Sequence, residues 1–421
     1  MANSRIVLGV DIGSTKVATV AGEVHSTRGL ILRGLCSVPC DAIARGVVRD
    51  LNQAAKDIDE SFSGAMYSSG LTANEVFVGI TGRDIYSRNC RATLDITHPE
   101  GEITTSDVDR VIELALPKLL PEGQQIVHTM VREFALDGIR TSRSPVGMIG
   151  RRLDVEAHVV IGSSSQIANL ERAISRVDLK VKSYVHLLIA AGEAVLSAED
   201  RNAGCILIDV GGGTTNVGVF LGGTLSYSRC IPVGGQNYDH DLKQGLGVSF
   251  EEAQRIKRSY GKAWIEPENE ELEDFVDVKF YGHKEYDKIK RRRIYEIMQP
   301  RTEELLEQII DALNESGQIA RVAGGVILVG GGCQLRQLRR YLQRHLQRQV
   351  RIGLPTGIGH LLDEYRTPAY APTLGLLLYG AKYGEESRTQ EASLLSEVLS
   401  ALRDIFGGLL PHKRKPEAEE N

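Results

Sequence analysis

Asp11-Ile12-Gly13-Ser14-Thr15-Lys16 joins two apolar, β-branched runs through a turn that carries a carboxylate, two hydroxyls and an ammonium. Asp209-Val210-Gly211-Gly212-Gly213-Thr214-Thr215-Asn216 repeats the design 198 positions later. A glycine-rich turn between strands exposes successive backbone N–H groups in a concave nest, which suits phosphate oxygens. A carboxylate at each strand end suits Mg²⁺ held through its water shell, because magnesium keeps several waters in phosphate sites. A third glycine turn, Gly330-Gly331-Gly332, follows the β-rich run Val326–Val329. One Asp-x-Gly alone reads as a β-turn; two of one design with a third glycine turn read as a phosphate site. Other phosphate binders fit poorly. Gly9 and Gly13 are followed by Ser14 rather than a lysine, and Gly211-x-Gly213 runs on to Asn216, so neither a P-loop nor a dinucleotide fingerprint is present.

The elements that must hold these turns form an internal echo. Residues 6–20 and 206–220 each read as strand, Asp-Gly turn and strand, which predicts two related α/β halves facing each other. Small-residue helices around Ala190-Ala191-Gly192 and Gly375 suit close crossing at a hinge, although ordinary core packing explains them equally well. Residues 84–165 have no counterpart in the second half. A helix over 106–116 ended by Pro117, then strands over 125–134 and 153–161, predicts a small inserted α+β unit there. In the second half a helix is expected over 249–260, then an acidic stretch, 266–277, and a basic one, 284–293.

Composition bounds the rest. The 421 residues suffice for two to four units, and 42% apolar with 25% charged residues excludes global disorder. A net charge of −5 gives no reason to expect nucleic acid. The 44 glycines point to tight turns or backbone pressed on a ligand. Six scattered cysteines without a C-x-x-C pair read as reduced intracellular thiols, and no zinc set is completed. The apolar run at 6–10 meets Asp11 too soon for a signal peptide, and no stretch approaches the roughly 18 apolar residues of a membrane span. His158 and His186 sit in apolar runs without ligand spacing and read as core residues.

The three glycine turns resemble those of the actin-like ATPase superfamily. Within it, the chain is similar over nearly its whole length to the FtsA family of bacterial cell-division proteins. The inserted segment carries that resemblance through Arg132-Glu133-Phe134-Ala135-Leu136-Asp137-Gly138 and Ser144-Pro145-Val146-Gly147-Met148. Gly192-Glu193-Ala194-Val195-Leu196, Pro300-Arg301-x-x-Glu304-Leu305-Leu306 and Val350-Arg351-Ile352-Gly353 add to it.

The resemblance implies an actin-like (ribonuclease-H-like) α/β fold of two domains and four subdomains. Residues 1–83, 166–202 and 366–384 would form subdomain 1A, and 84–165 the FtsA-type α+β insertion 1C. Residues 203–237 and 319–365 would form 2A, and 238–318 would form 2B. It implies ATP with Mg²⁺ in the cleft. Asp11, Gly13, Ser14, Thr15 and Lys16 would clasp the phosphates from one side, and Asp209, Gly211, Gly212, Gly213, Thr214, Thr215 and Asn216 from the other. Asp11 and Asp209 would act on the metal through water. Gly330, Gly331, Gly332 and Gln334 would lie under the adenosine, and Lys257 would touch the nucleoside. Two departures stand out: Gln254 replaces a glutamate frequent in the family, and the first connecting helix starts with Leu187-Leu188 where hydrolases carry Gln or Glu. Weak water activation follows, with ATPase activity slow or absent.

Residues 384–390 read as the start of a polar linker, set at 385–392. On a helix at about 100° per residue, Leu395, Val398, Leu399, Leu402, Ile405 and Phe406 fall within one apolar arc of segment 393–410. Pro411 and His412-Lys413-Arg414-Lys415 follow, and 393–421 is therefore expected to be a membrane-binding helix with its tail. The resemblance agrees, and adds a function: a filament-forming adaptor that tethers the tubulin-like protein FtsZ to the cytoplasmic face of the membrane at the division septum. Partners would be the FtsZ C-terminal peptide, held through Arg293 and Arg301, further copies of the chain, membrane lipids and other division proteins. A sugar or acetate kinase of the same superfamily and a pilus-assembly relative are the rival readings. The first lacks an identifiable substrate base here, and the second would not need the terminal amphipathic segment.

Overall fold

The repeat in the sequence becomes two sheets built on one plan. In the first, Arg5–Ile12, Lys16–His25 and Gly29–Pro39 form an antiparallel meander, Glu75–Ile80 adds parallel to its first strand, and Lys180–His186 adds parallel to Glu75–Ile80. In the second, Cys205–Val210, Thr215–Leu221 and Thr224–Ile231 form the meander, and Val326–Val329 and Val350–Ile352 add in parallel. Arg5–Ile12 and Cys205–Val210 are near-continuous apolar runs, as strands covered on both faces require. The computed structural model describes residues 4–141, 144–265 and 269–384. The expected linker 385–392 and amphipathic segment 393–421 lie outside the described residues. Contacts gather the chain up to Ala381 into one body.

Each sheet is covered by helices that bury an apolar face. Leu51–Ser69 starts at Asp50, whose carboxylate accepts from the N–H groups of Asn52 and Gln53, and lays Ala54 and Ile58 on the first sheet. Arg291–Ser316 and Leu338–Leu346 place Leu305, Ile309, Leu338 and Leu342 against the same face of the second. A separate core, with Leu242, Ile256, Val276 and Met298, joins the helices Gly235–Leu246 and Phe250–Tyr260 to a short hairpin, Phe275–Val278 with Asp287–Lys290.

The inserted segment is a sheet of Tyr86–Asp95, Arg152–Ser163, Gln124–Leu136 and Ile139–Thr141 under one helix, Thr105–Ala115. That helix starts one residue earlier than expected. Thr104 caps it, its hydroxyl accepting from the N–H of Asp107 while the Asp107 carboxylate accepts from Thr104 N–H. Leu116 is already extended, as the residue before Pro117 prefers. This sheet continues the second half's sheet to nine strands, through the pairing of Tyr86 with Arg229. Ser87 Oγ reaches Ser228 Oγ at 2.7 Å and Asn89 Nδ2 donates to the Ser226 carbonyl at 2.8 Å along the same seam. The insertion, entered from the first half, is stitched to the second.

The two small-residue helices, Leu187–Val195 and Ala371–Tyr383, cross between the halves. A β-carbon at Gly375 would overlap the carbonyl of Ala190. Glycine is therefore required there by close approach.

Candidate functional site

The two Asp-Gly turns close by the same hydrogen bond. Gly13 N–H donates to the Lys16 carbonyl and Gly211 N–H to the Thr214 carbonyl, both at 2.9 Å. Being placed at the ends of equivalent strands, the turns meet tip to tip. A β-carbon at Gly213 would lie 2.6 Å from Ser14 Oγ, and one at Gly212 would overlap the Thr15 side chain. Gln236 Nε2 adds a hydrogen bond to the Ser14 carbonyl at 3.2 Å.

The turns line a cavity of about 1130 Å³. Asp11, Gly13, Ser14, Thr15, Lys16, Asp209, Gly211, Gly212, Gly213, Thr214, Asn216, Lys257, Gly330, Gly331, Gly332 and Gln334 all face it. Thr215 does not: its buried hydroxyl donates to the Val233 carbonyl at 2.7 Å and braces the strand instead. The start of helix Gly235–Leu246 also faces the cavity, docked on the second turn by Gly235 N–H to Gly211 O and Gln236 N–H to Gly212 O. Gly330 has φ 84°, which bends the chain out of Val326–Val329 and brings the third turn against Val210.

Charge is concentrated and buried here. Asp11 Oδ2 accepts from Thr373 Oγ1 at 2.7 Å, and burial raises its carboxyl against the pull of Lys16. Asp209 is pushed up to about 7 by burial and then by Asp11. Lys16 is lowered by burial; its Nζ donates to the Ala369 carbonyl at 2.8 Å and lies 3.9 Å from the Tyr370 ring centre. Lys257 is held by the buried Asp239 carboxylate at 2.6 Å and by the Gly235 carbonyl at 2.8 Å. Leu187 faces the cavity at the start of the connecting helix, while Glu193 lies 3.3 Å from Arg201. Water therefore meets no carboxylate or amide from that helix start.

Several lining residues have no sequence motif to announce them. Gln53, Asp57, Gln236 and Tyr370 reach the cavity from other segments, and Thr81 lines it with them. Thr81 had one available signal, the Thr81-Gly82 turn after Glu75–Ile80.

The sequence profile described as cell division protein FtsA matches residues 206–375, and that of the SHS2 domain inserted in FtsA matches 82–161. The cell division protein FtsA of Bacillus subtilis is 30% identical over 382 residues, covering 91% of this chain and 85% of the relative. The chain belongs to the FtsA family. That of Neisseria meningitidis serogroup B is 29% identical over 412 residues, covering 98% of this chain and 97% of its own. The fold is actin-like. The PilM–PilN type IV pilus biogenesis complex aligns with TM-score 0.62 at 18% identity, over 89% of this chain and 98% of that one. MreB5 of Spiroplasma citri bound to ADP aligns with TM-score 0.53 at 13% identity, over 92% and 98%.

The two arginines singled out for a partner lie on Arg291–Ser316, and neither lines the cavity between the glycine turns. Arg301 makes a two-pronged ion pair with Asp241, at 2.7 and 2.9 Å, and also pairs with Glu304. It borders a second cavity of about 310 Å³ with Gln244, Ile297 and Pro300. Arg293 is exposed, 3.6 Å from Glu296. FtsA-family membership associates this chain with cell division, and no helix among the described residues is long and apolar enough to cross a membrane.

Proposed function

We propose that this FtsA-family chain binds ATP with Mg²⁺ between its two Asp-Gly turns and, as a filament, ties FtsZ to the cytoplasmic face of the membrane at the division site. The observation that carries the nucleotide part is the meeting of two matched turns and a helix N-terminus around one polar cavity. Backbone N–H groups and the positive end of the helix dipole suit phosphate oxygens. The donor set fits the metal: Asp11 and Asp209 are buried carboxylates close enough to repel, and a hydrated divalent cation would offset the burial, and then the repulsion, that raise Asp209. Lys16 would neutralise phosphate, Lys257 and Gln334 would border the nucleoside, and Mg²⁺ would supply charge neutralisation. With Leu187 where hydrolases orient water, turnover is slow.

The membrane part rests on the amphipathic reading of 393–410. The FtsZ part rests on family membership and on Arg301, which lines a cavity with Ile297, Pro300, Asp241 and Glu304, with the exposed Arg293 on the same helix. Recruitment of other division proteins rests on family membership alone. Sedimentation of the full chain with lipid vesicles, with and without ATP and an FtsZ tail peptide, tests the whole. Co-pelleting of protein and peptide, strengthened by ATP, is the expected outcome. Protein that stays in solution under all conditions refutes the tether.

A further inference from the structure

Opposite charges without ionic partners are gathered on one outer face of the second half. The helix Leu338–Leu346 buries Leu338, Tyr341 and Leu342 and turns Arg339, Arg340 and Arg344 to solvent. Arg291–Ser316 buries Leu305, Leu306 and Ile309 in the same core and exposes Glu303, Glu307 and Asp311. Spacing of four residues sets these three acids in one stripe. Among the described residues, no carboxylate lies within 4.0 Å of the three arginines, and no cation within 4.0 Å of the three acids. Their contacts are neutral: Arg344 sits 5.3 Å from the Trp264 ring centre, Arg339 donates to the Val350 carbonyl, and Glu303 accepts from Gln299. The basic run at 290–293 differs, since Glu271, Glu273, Asp274 and Glu296 pair with all four of its cations. Tyr341 marks the seam, its phenol raised by burial first and then by Glu303 and Glu307.

Adjacent stripes of opposite sign are self-complementary about a two-fold axis that runs between and along them. Rotation lays each stripe on its opposite in the other copy. We propose that this face binds a second copy of the chain, the arginine helix of each lying along the Glu303–Glu307–Asp311 stripe of the other. It deepens the self-association reading above by naming one surface for it, and rests on that reading only for the claim that copies meet. Exposed ion pairs are individually weak, so the contact is salt-sensitive and steers association more than it holds it.

Sedimentation velocity of the full chain, without nucleotide, at low and high salt tests the face. Wild type is expected to form dimers at low salt and monomers at high salt. Arg340→Glu with Arg344→Glu, and Glu303→Arg with Glu307→Arg, are each expected to stay monomeric alone. An equimolar mixture of the two regains the dimer, because the reversed faces complement one another, which no misfolded variant would do. Dimers of either variant alone, or a mixture that stays monomeric, overturn the proposal. So does an arginine variant that dimerises normally but no longer pellets with phosphatidylglycerol vesicles, since the face would then be a lipid contact. ATP-dependent polymers that persist in both variants, with no dimer in wild type, sink this face alone; no assembly of wild type under any condition sinks the filament reading with it.

Discussion

Thr81 Oγ1 donates to Asn216 Oδ1 at 2.6 Å across the cleft, tying the residue that leads into the inserted subdomain to the second Asp-Gly turn. Asn216 Nδ2 in turn lies 3.5 Å from Asp209 Oδ2. The two halves are thus joined, where the Asp-Gly turns line the cavity, by a side-chain bridge whose acceptor is buried. Thr81→Val keeps the shape and removes the donor, leaving Asn216 unsatisfied at a cost of about 1–3 kcal/mol. Urea unfolding of Thr81→Val, Asn216→Ala and the double variant checks it. A shared bond requires the double variant to lose less than the two singles together; strict additivity would show the bridge is not energetically coupled.

Where the two connecting helices meet, the expectation is steeper. Gly375→Ala drives a methyl into the Ala190 carbonyl, which is helix backbone and cannot yield as a side chain does. A loss of about 3 kcal/mol or more is expected, at the upper end of overpacking costs. Gly331→Ala is the control, because its β-carbon meets only Ala369 at 3.9 Å. Equal melting temperatures for the two variants would mean the helices cross with room to spare.

The turns were legible in the sequence because glycine and aspartate punctuate a strand ending locally. The same holds for the doubled plan, written twice in β-branched runs, and for the close helix approach that Gly375 allows. What joined the parts was not legible. Tyr86–Asp95 alternates like any strand, and nothing local says that its edge pairs with Thr224–Ile231 of the other half. The resemblance offers Arg301 as a cation for a partner, yet Asp241, 60 residues away, pairs with it. Thr215 looked equivalent to Thr214, but the strand's period of two turns it inward. Asp57 and Tyr370 reach the cavity only through tertiary packing.

If Asp209 holds the metal as proposed, metal-nucleotide binding should depend on pH. Its carboxyl, raised to about 7 from 3.8, is mostly protonated near pH 6, whereas a cation requires the carboxylate. Binding at pH 6 should release protons, and affinity should climb between pH 6 and 8, by at most about tenfold per unit. Calorimetry in buffers of different ionisation heat reads the release directly. Asp209→Asn should diminish it, and an unchanged release in that variant would assign the proton elsewhere.

Acid should act on a different site, where the first sheet meets the insertion. Burial lowers His128 to about 4 and His158 and His186 to about 3, against 6.5. A base depressed in the folded state stabilises it above pH 6.5, and the contribution is lost as pH falls toward 4. His128→Asn keeps a donor toward the Tyr184 carbonyl, 3.0 Å from His128 Nδ1, but cannot titrate. Between pH 6.5 and 4 its unfolding free energy should fall less steeply than that of wild type, by up to about 1.4 kcal/mol per pH unit. The raised carboxyls Asp11, Asp209 and Asp239 oppose this trend in both proteins and cancel from the comparison. Parallel pH profiles would remove His128 from the acid response.

Membrane attachment should depend on avidity. One amphipathic helix buries a single apolar face at the headgroup boundary, so its binding is reversible and partly screened by salt. Polymerised subunits would offer many such helices to one surface, strengthening attachment by roughly 10²–10⁴. On helical spacing Leu402 falls near the middle of the apolar arc and Ser400 on the polar side. Leu402→Glu should release the protein from vesicles under polymer-forming conditions, while Ser400→Glu should pellet like wild type. The comparison holds charge and segment constant and varies only the face that carries the carboxylate. If both variants are retained equally, the segment packs on protein rather than lipid, and the tether must be sought elsewhere.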